Sequence, residues 1–378
     1  MLALEGFISG PYGSMMLADF GAEVIKVEPP RGDVYRNSAP VYESEAGSMS
    51  HNFLRVNRNK HSIVLDLLVA KDREAFLSLV ETSDVVWENL RPGALDRLAL
   101  NWPVLSERNP QVILASISGF GRGVLPSPYA DRPAFDLVAQ ALSGLMMRAG
   151  EESQPPLYMG IPIADQLAGI FAAFGVTLAL LERKRTGLGQ QVDVSMLDAA
   201  IALNEQCIAF YDHFGVEPQR GASPTSAPYA SFRASDGWVA IGIASDDIFL
   251  RFCHAIDDTD LANDPQMQNG ISRAHNQEST LRPRIEMWTQ GRTVSEACDL
   301  LNAVGVPAAP IHSVKQLFGD PHVAAREMIV ELDDPVFGKL RVAGNPIKLG
   351  NWPSVPRNPA PQLGADQDTY LSPLENGL

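Results

Sequence analysis

The first half of the chain switches repeatedly between two hydrophobic periods, and that alternation limits the folds open to it. Residues Glu23 to Glu28 run polar and apolar by turns, as a strand does. Ser14 to Phe20 ahead of them has helical spacing, with Gly21 where a C-terminal cap belongs. A second strand is predicted over Ser62–Leu67, a helix over Asp72–Thr82 and a third strand over Ser83–Glu88. A short helix near Leu95–Leu98, a turn at Asn109-Pro110 and a strand over Val112–Ser118 follow. Strands separated by helices at this spacing predict a mostly parallel sheet with helices on both faces. Ligands of such sheets bind at the carboxyl ends of the strands.

A long helix is predicted from Asp165 to Arg185, with Leu167, Ile170, Phe171, Phe174, Leu178 and Leu181 on its period. Its apolar run carries Gly169, Gly175 and Thr177, ends at Glu182-Arg183-Lys184, and falls short of the ~20 apolar residues of a membrane span. It reads as a buried helix. Gln191–Ser195 reads as a strand and Leu197–Phe210 as a helix. The Pro-, Gly- and Ser-rich stretch from Glu217 to Pro228 predicts a linker. Beyond it, Gly237–Ile243 reads as a strand, and Asp246–Ala255, Arg273–Thr289 and Thr293–Val304 as helices. Val330–Leu332 and Lys339–Val342 form a predicted hairpin around Asp334–Gly338. Asn351–Leu378 has no period and is expected to wrap a surface.

A net charge of −15 disfavours nucleic acid as a partner, while a local arginine cluster can still hold a small anion. Cys207, Cys253 and Cys298 stand too far apart for a disulfide framework or zinc-ligand spacing, so a reducing cytoplasm is the simplest compartment. The N-terminus lacks a basic region before an apolar run, which argues against a signal peptide. No phosphate-cradling Gly-x4-Gly-Lys-Ser/Thr, no Gly-x-Ser-x-Gly and no helical metal-ligand pair is present, and no metal site is expected. The seven histidines are scattered and carry no assigned role.

Five segments together resemble the class III CoA-transferases, the family of formyl-CoA transferase and the carnitine CoA-transferases. They are Gly10-Pro11-Tyr12 running on to Ala18–Glu28; Asn57-Arg58-Asn59-Lys60-His61 running on to Leu67; Glu88–Leu98; Asn109–Gly121; and Thr186–Ala199. Gly305-Val306-Pro307 and Asp320-Pro321-His322 extend the likeness into the second half. Family members begin with a few further residues, so the first strand here is expected to be short or the start truncated. The resemblance implies a Rossmann-like large domain with a parallel sheet and a smaller α/β domain. It also implies a ring-shaped chain in an interlocked homodimer. The expected bounds are 1–200 for the large CoA-binding domain, 201–228 for a linker and 229–313 for the small domain. Residues 314–378 are expected to be a linker and a segment returning to the large domain.

The same resemblance implies CoA transfer from an acyl-CoA thioester to a carboxylic acid, with the CoA thioester as substrate and no tightly bound cofactor. Asp165 falls on the family's nucleophilic aspartate. A carboxylate can attack a thioester to give a mixed anhydride and then hold CoA as an enzyme thioester. Read from its local sequence alone, Asp165 opens a helix and would serve as its N-cap. Asp136 and Phe135 are supporting candidates. Related α-methylacyl-CoA racemases carry a histidine at the Phe135 position, and phenylalanine cannot move a proton. Racemisation and CoA-thioester binding without catalysis are the alternatives.

By resemblance, CoA contacts are expected from Ile8, Ser9 and Leu65, from the turn Asn89, Leu90 and Arg91, and from Arg97, with Arg31 or Arg36 near the 3′-phosphate. A guanidinium suits phosphate because its planar fork donates paired hydrogen bonds. Family members often carry glutamine at the Ile8 position and lysine at the Leu68 position, so hydrogen bonds from those two places are not expected. The run of glycines that closes formyl-CoA transferase over its carboxylate has no counterpart; the loop after Gly242–Ser245 stands in its place.

Overall fold

The computed structural model describes residues 1–45, 47–125, 127–336, 338–352 and 358–375. The chain divides into two units: Met1–Ser143, Tyr158–Leu203 and Asp320–Leu378 form the first, Gly144–Leu157 and Asn204–Gly319 the second.

In the first unit, six strands form one sheet: Leu2–Leu4 (β1), Ile25–Glu28 (β2), His61–Val64 (β3), Val85–Glu88 (β4), Ile113–Ser118 (β5) and Gln191–Ser195 (β6). Their order is β3-β2-β1-β4-β5-β6, and every neighbouring pair is parallel. This is the doubly wound dinucleotide-binding order, whose direction reverses between β1 and β4 and opens a crevice at their carboxyl ends. Strand β1 is short but central, and all three of its residues are buried. The polar positions of β2 do not face solvent: both faces of the sheet are covered, and Lys26 and Glu28 are buried and ion-paired.

Eight helices belong to this sheet in chain order: Ser9–Ala18 (α1), His51–Asn57 (α2), Ala70–Glu81 (α3), Ala94–Arg97 (α4), Trp102–Arg108 (α5), Asp136–Leu142 (α6), Ile163–Thr186 (α7) and Met196–Leu203 (α8). Helix α7 corrects the sequence reading in two ways. At 24 residues it is long and apolar enough, by length and composition alone, to cross a membrane. Its buried face is also not the large apolar one: Ala164, Ala168, Gly169, Ala172, Ala173, Val176 and Ala179 point inward, while Phe171, Phe174, Leu178 and Leu181 are exposed. Small residues win that face because α1 packs backbone to backbone against it. A Cβ on Gly13 would lie 2.4 Å from the Gly169 carbonyl oxygen and 2.7 Å from the Trp87 ring, and a Cβ on Gly169 would lie 2.6 Å from the Ser9 carbonyl oxygen.

The C-terminal part of this unit also departs from expectation. The hairpin Ile329–Asp334 with Gly338–Ala343 forms as predicted among the described residues, Phe337 lying outside them. The tail is not aperiodic throughout, since Gln367–Glu375 is helical; residues 353–357 and 376–378 lie outside the described residues. It seals the edge of β3. Ser62 N–H donates to Asp366 Oδ2 at 2.8 Å, Val64 N–H donates to Gln367 Oε1 at 2.8 Å, and Gln367 returns a bond to the Val64 carbonyl. Covering an edge strand removes its free backbone groups.

The second unit is built on Tyr229–Arg233, Trp238–Gly242 and Ala308–Pro310, an antiparallel three-stranded sheet. Phe232, Val239, Ile241, Phe249, Phe252, Leu281 and Leu301 centre its core. Two helices predicted as continuous are broken. The first, after Met196, stops at Leu203 and resumes over Glu205–Phe214, with Asn204 in a turn conformation. The second becomes Gly270–His275, a wide turn over Gln277–Leu281, and Arg282–Thr289, because Pro283 cannot continue the preceding hydrogen-bond ladder. Gly144–Leu157 joins this unit through arginines: Arg148 donates to the Pro218 and Gln219 carbonyls, and Arg220 to those of Ala149 and Gln154.

Gly169→Ala tests the α1–α7 crossing. An alanine in an ordinary helix interior gains about 1 kcal/mol over glycine. Here the new methyl meets backbone, and a loss of about 1–3 kcal/mol is expected, read as a lower denaturant midpoint.

Candidate active site

Three neighbouring strands end at a buried glutamate, and each glutamate holds a cation that shapes the loop beyond it. After β1, Glu5 Oε1 lies 2.7 Å from Lys60 Nζ, and Ser14 Oγ donates to both its oxygens. Lys26 Nζ sits 2.9 Å from Asp33 and donates to the Glu5 carbonyl at 3.0 Å. At the end of β2, Glu28 takes Arg36 in a fork at 2.6 and 2.7 Å and accepts the Asp33 N–H. At the end of β4, both Glu88 oxygens take Arg122 Nη2, at 2.8 and 2.9 Å, and Glu88 also accepts the Leu90 N–H. Burial raises the Glu88 carboxyl against the pull of Arg122. Burial lowers Lys60 to about 8 despite Glu5, whereas for Lys26 the same burial is outweighed by Asp33, Glu5 and Glu28, which leave it raised.

The loops after β1 and β4 meet at the crevice. The Asn89 side chain is fully engaged in joining them: Oδ1 accepts the Gly6 N–H at 2.9 Å, and Nδ2 donates to the Gly6 carbonyl at 2.8 Å and to Ser9 Oγ at 3.0 Å. Ser9, 5% exposed, opens α1. Gly13 and Gly169 lie one helical turn beyond Ser9 and Asp165 on their respective helices, so the glycine crossing brings those two residues together.

Asp165 sits in the first turn of α7 and does not cap it; the N-cap position is Pro162, without a side-chain bond. Asp136 supplies the cap from α6. Its Oδ1 accepts the Ala164 N–H at 2.8 Å and the Asp165 N–H at 3.3 Å, and its Oδ2 accepts Gln140 Nε2 at 2.6 Å. Gln140 in turn donates to the Ile161 carbonyl and accepts the Met159 N–H, fastening the approach to α7. Asp136 is thus a buried clamp that takes the Ala164 and Asp165 N–H groups at this helix start.

The Asp165 carboxyl is pushed up to about 7. Burial is the largest cause and the charge of Asp136 the next; the Arg55 cation and a hydrogen bond from the Ser9 hydroxyl pull the other way. An aromatic wall adjoins it. The Phe7 ring meets Tyr35 edge-on at 5.3 Å and Phe135 at 5.6 Å, and burial and the charge of Asp136 raise the Tyr158 phenol. Phe135 is 65% exposed, the residue from which α6 starts.

The remaining predicted residues divide. Ile8 is buried at the start of α1, and Leu65 is buried in the core beside β3. Leu90 is half-buried, and its carbonyl accepts Arg122. Arg31 and Arg91 are exposed; Arg97 is exposed with one bond to the Pro92 carbonyl at 3.3 Å. Arg36 is corrected: it is buried, spent on Glu28 and the Pro361 carbonyl, and stacked 3.8 Å from the Phe53 ring, so it has no fork left for a phosphate. Sequence reasoning missed Phe7, Tyr35, Arg55, Gln140 and Tyr158. None carries a spacing signal; α2, the loops and α6 bring them in from separate parts of the chain. Among the described residues no cluster of metal-ligating side chains occurs.

The chain matches known proteins along nearly its whole length. Succinyl-CoA:mesaconate CoA-transferase of Haloarcula marismortui is 39% identical over 376 residues, covering 98% of this chain and 94% of that protein. Acetyl-CoA:oxalate CoA-transferase of Acetobacter aceti is 35% identical, covering 96% and 90%. The crystal structure of a CAIB/BAIF family protein from Brucella suis superposes with a TM-score of 0.84 at 30% identity, covering 99% of this chain and 97% of that one. The family model described as CoA-transferase family III matches residues 1–367, and the chain belongs to that family of enzymes.

Proposed function

We propose that this enzyme moves CoA between an acyl-CoA thioester and a carboxylic acid through covalent intermediates on Asp165. The observation that carries the reading is the position of that carboxylate: half-buried at the switch point, on a helix start that Asp136 of α6 caps, with burial raising its carboxyl. Asp165 attacks the thioester carbonyl, giving a mixed anhydride and CoA thiolate. The thiolate attacks the aspartyl carbonyl, releasing the first acid and leaving an aspartyl-CoA thioester. The incoming carboxylate displaces CoA as a new anhydride, and the thiolate then attacks the acyl carbonyl, releasing the new acyl-CoA and restoring Asp165. Burial, which limits hydrolysis of the anhydride, also accounts for the raised carboxyl.

Arg97, Arg31 and Arg91, exposed and without a carboxylate partner among the described residues, suit the phosphates of CoA; the Asn89–Arg91 turn suits the pantetheine arm. Ile8 and Leu65 line that arm or the adenine at most through their edges, being buried. Phe135 supports transfer over racemisation, since its ring carries no proton to exchange. The exposed Phe171, Phe174, Leu178 and Leu181 of α7 support a homodimer whose second copy covers them, interlocked as the family resemblance implies. A cytoplasmic location goes with this reading.

Asp165→Asn keeps the shape of the side chain and removes the nucleophile. Transfer is expected to fall by at least ~10³-fold, and the mass increment that wild type gains from acyl-CoA is expected to vanish; an Asn variant with most of the activity would sink the assignment. Because the reactive form is the carboxylate, kcat/KM should rise tenfold per pH unit below about 7 and level off above it. Asp136→Asn removes the like charge and should move that acid limb to lower pH. The raised carboxyl also costs stability above its folded value: between the usual aspartate range and about 7 the folded state holds a proton that the unfolded chain has lost, so stability falls as pH rises. The melting temperature of Asp165→Asn should therefore exceed that of wild type by more at pH 8 than at pH 5.

A further inference from the structure

Four buried cations near the crevice are matched by carboxylates. Arg36 pairs with Glu28, Arg58 with Asp19, Lys26 with Asp33 and Lys60 with Glu5. Arg55, in the last turn of α2 and half-buried, has no carboxylate within 4.0 Å among the described residues. Helix α2 packs on the turn that carries Tyr35, and the Arg55 cation acts on the Tyr35 phenol, whose ring adjoins Phe7 and through it Phe135. A half-buried guanidinium with no carboxylate in ion-pair range is a vacant fork of the geometry that carboxylates fill.

Resting on the reading in which Asp165 is the nucleophile, we propose that Arg55 sets the substrate class: it holds the second, unreacting carboxylate of a short dicarboxylic acid. The reaction cycle strengthens this role. In the resting enzyme the charge of Asp165 faces Arg55 across the site. Once Asp165 is esterified with CoA that charge is gone, and the guanidinium is left to attract an incoming anion. A monocarboxylate places its only charged group at the reacting carbonyl; a diacid has a second one for the fork. Tyr35 stands beside the fork, and Phe7 and Phe135 exclude water from the chain between the two carboxylates.

The test compares succinate with butyrate, equal in carbon number, as acceptors with an acyl-CoA donor that the wild-type enzyme uses. In Arg55→Gln the ratio of kcat/KM for succinate over butyrate is expected to fall about 10- to 100-fold, as loss of a charged hydrogen-bonded pair implies. Arg55→Lys is expected to recover part of the ratio, since it keeps the charge without the fork, and it serves as the test if the glutamine variant melts early. An equal loss for both acids would mean that Arg55 only tunes Asp165, and the proposal falls. Failure of wild type to form any adduct on Asp165 with the donor alone overturns the nucleophile reading instead, and mass spectrometry reads that separately.

Discussion

The close crossing of α1 and α7 is the constraint on which the site depends. Gly13 and Gly169 leave no room for a Cβ on either helix, so the two backbones touch. That contact fixes, one turn away, the distance between the loop after β1 and the first turn of α7. Ser9 and Asp165 are therefore neighbours although 156 positions separate their numbers (165 − 9). The rest of α7 follows from the same requirement. Its inward face is alanine and glycine because larger residues would hold the helices apart, and its phenylalanines and leucines are displaced outward.

Beneath the crevice lies a buried ionic network that serves position more than stability. Two buried charges seldom repay their desolvation by attraction alone, but removing one partner leaves the other costly. Glu5, Glu28 and Glu88 each end a strand, and each binds both a cation and, directly or through a neighbour, the backbone of the next loop. The lysines and arginines reach them from β2, the turn after β2, the approach to β3 and the loop after β5, so the loops cannot shift independently. Lys60 at about 8 records how strongly the interior resists a second ammonium beside Lys26. Such a scaffold suits covalent chemistry, in which the nucleophile has to stay in place through several intermediates.

Asp136 shows how local sequence logic fails where tertiary contacts decide. An aspartate opening a helix is a good N-cap, and by that rule Asp165 would point back along its own helix. Instead the cap comes from Asp136 on α6, and its two N–H bonds free the Asp165 carboxylate from local duty. Burial raises the Asp165 carboxyl most, and the capping carboxylate, a like charge beside it, raises it further. Arg36 shows the opposite error. It reads as a free cation in sequence, but Glu28 waits inside the sheet, and only the fold puts them together.

By itself the sequence determined the parallel α/β character and most of the strands of the first half, while the helices His51–Asn57, Trp102–Arg108 and Asp136–Leu142 went unread. The legible elements depend on period, on turn residues and on motifs contiguous in the chain, where each residue reports on its neighbours. Phe7, Tyr35, Arg55 and Tyr158 come from four separate segments, and no period links them. The inward face of α7 was misread for a related reason: hydrophobicity marks large residues as core, whereas backbone contact selects small ones. Which charges are paired, which helix face is covered and how far a carboxyl is raised depend on distances between groups remote in sequence, and only the tertiary structure sets those distances.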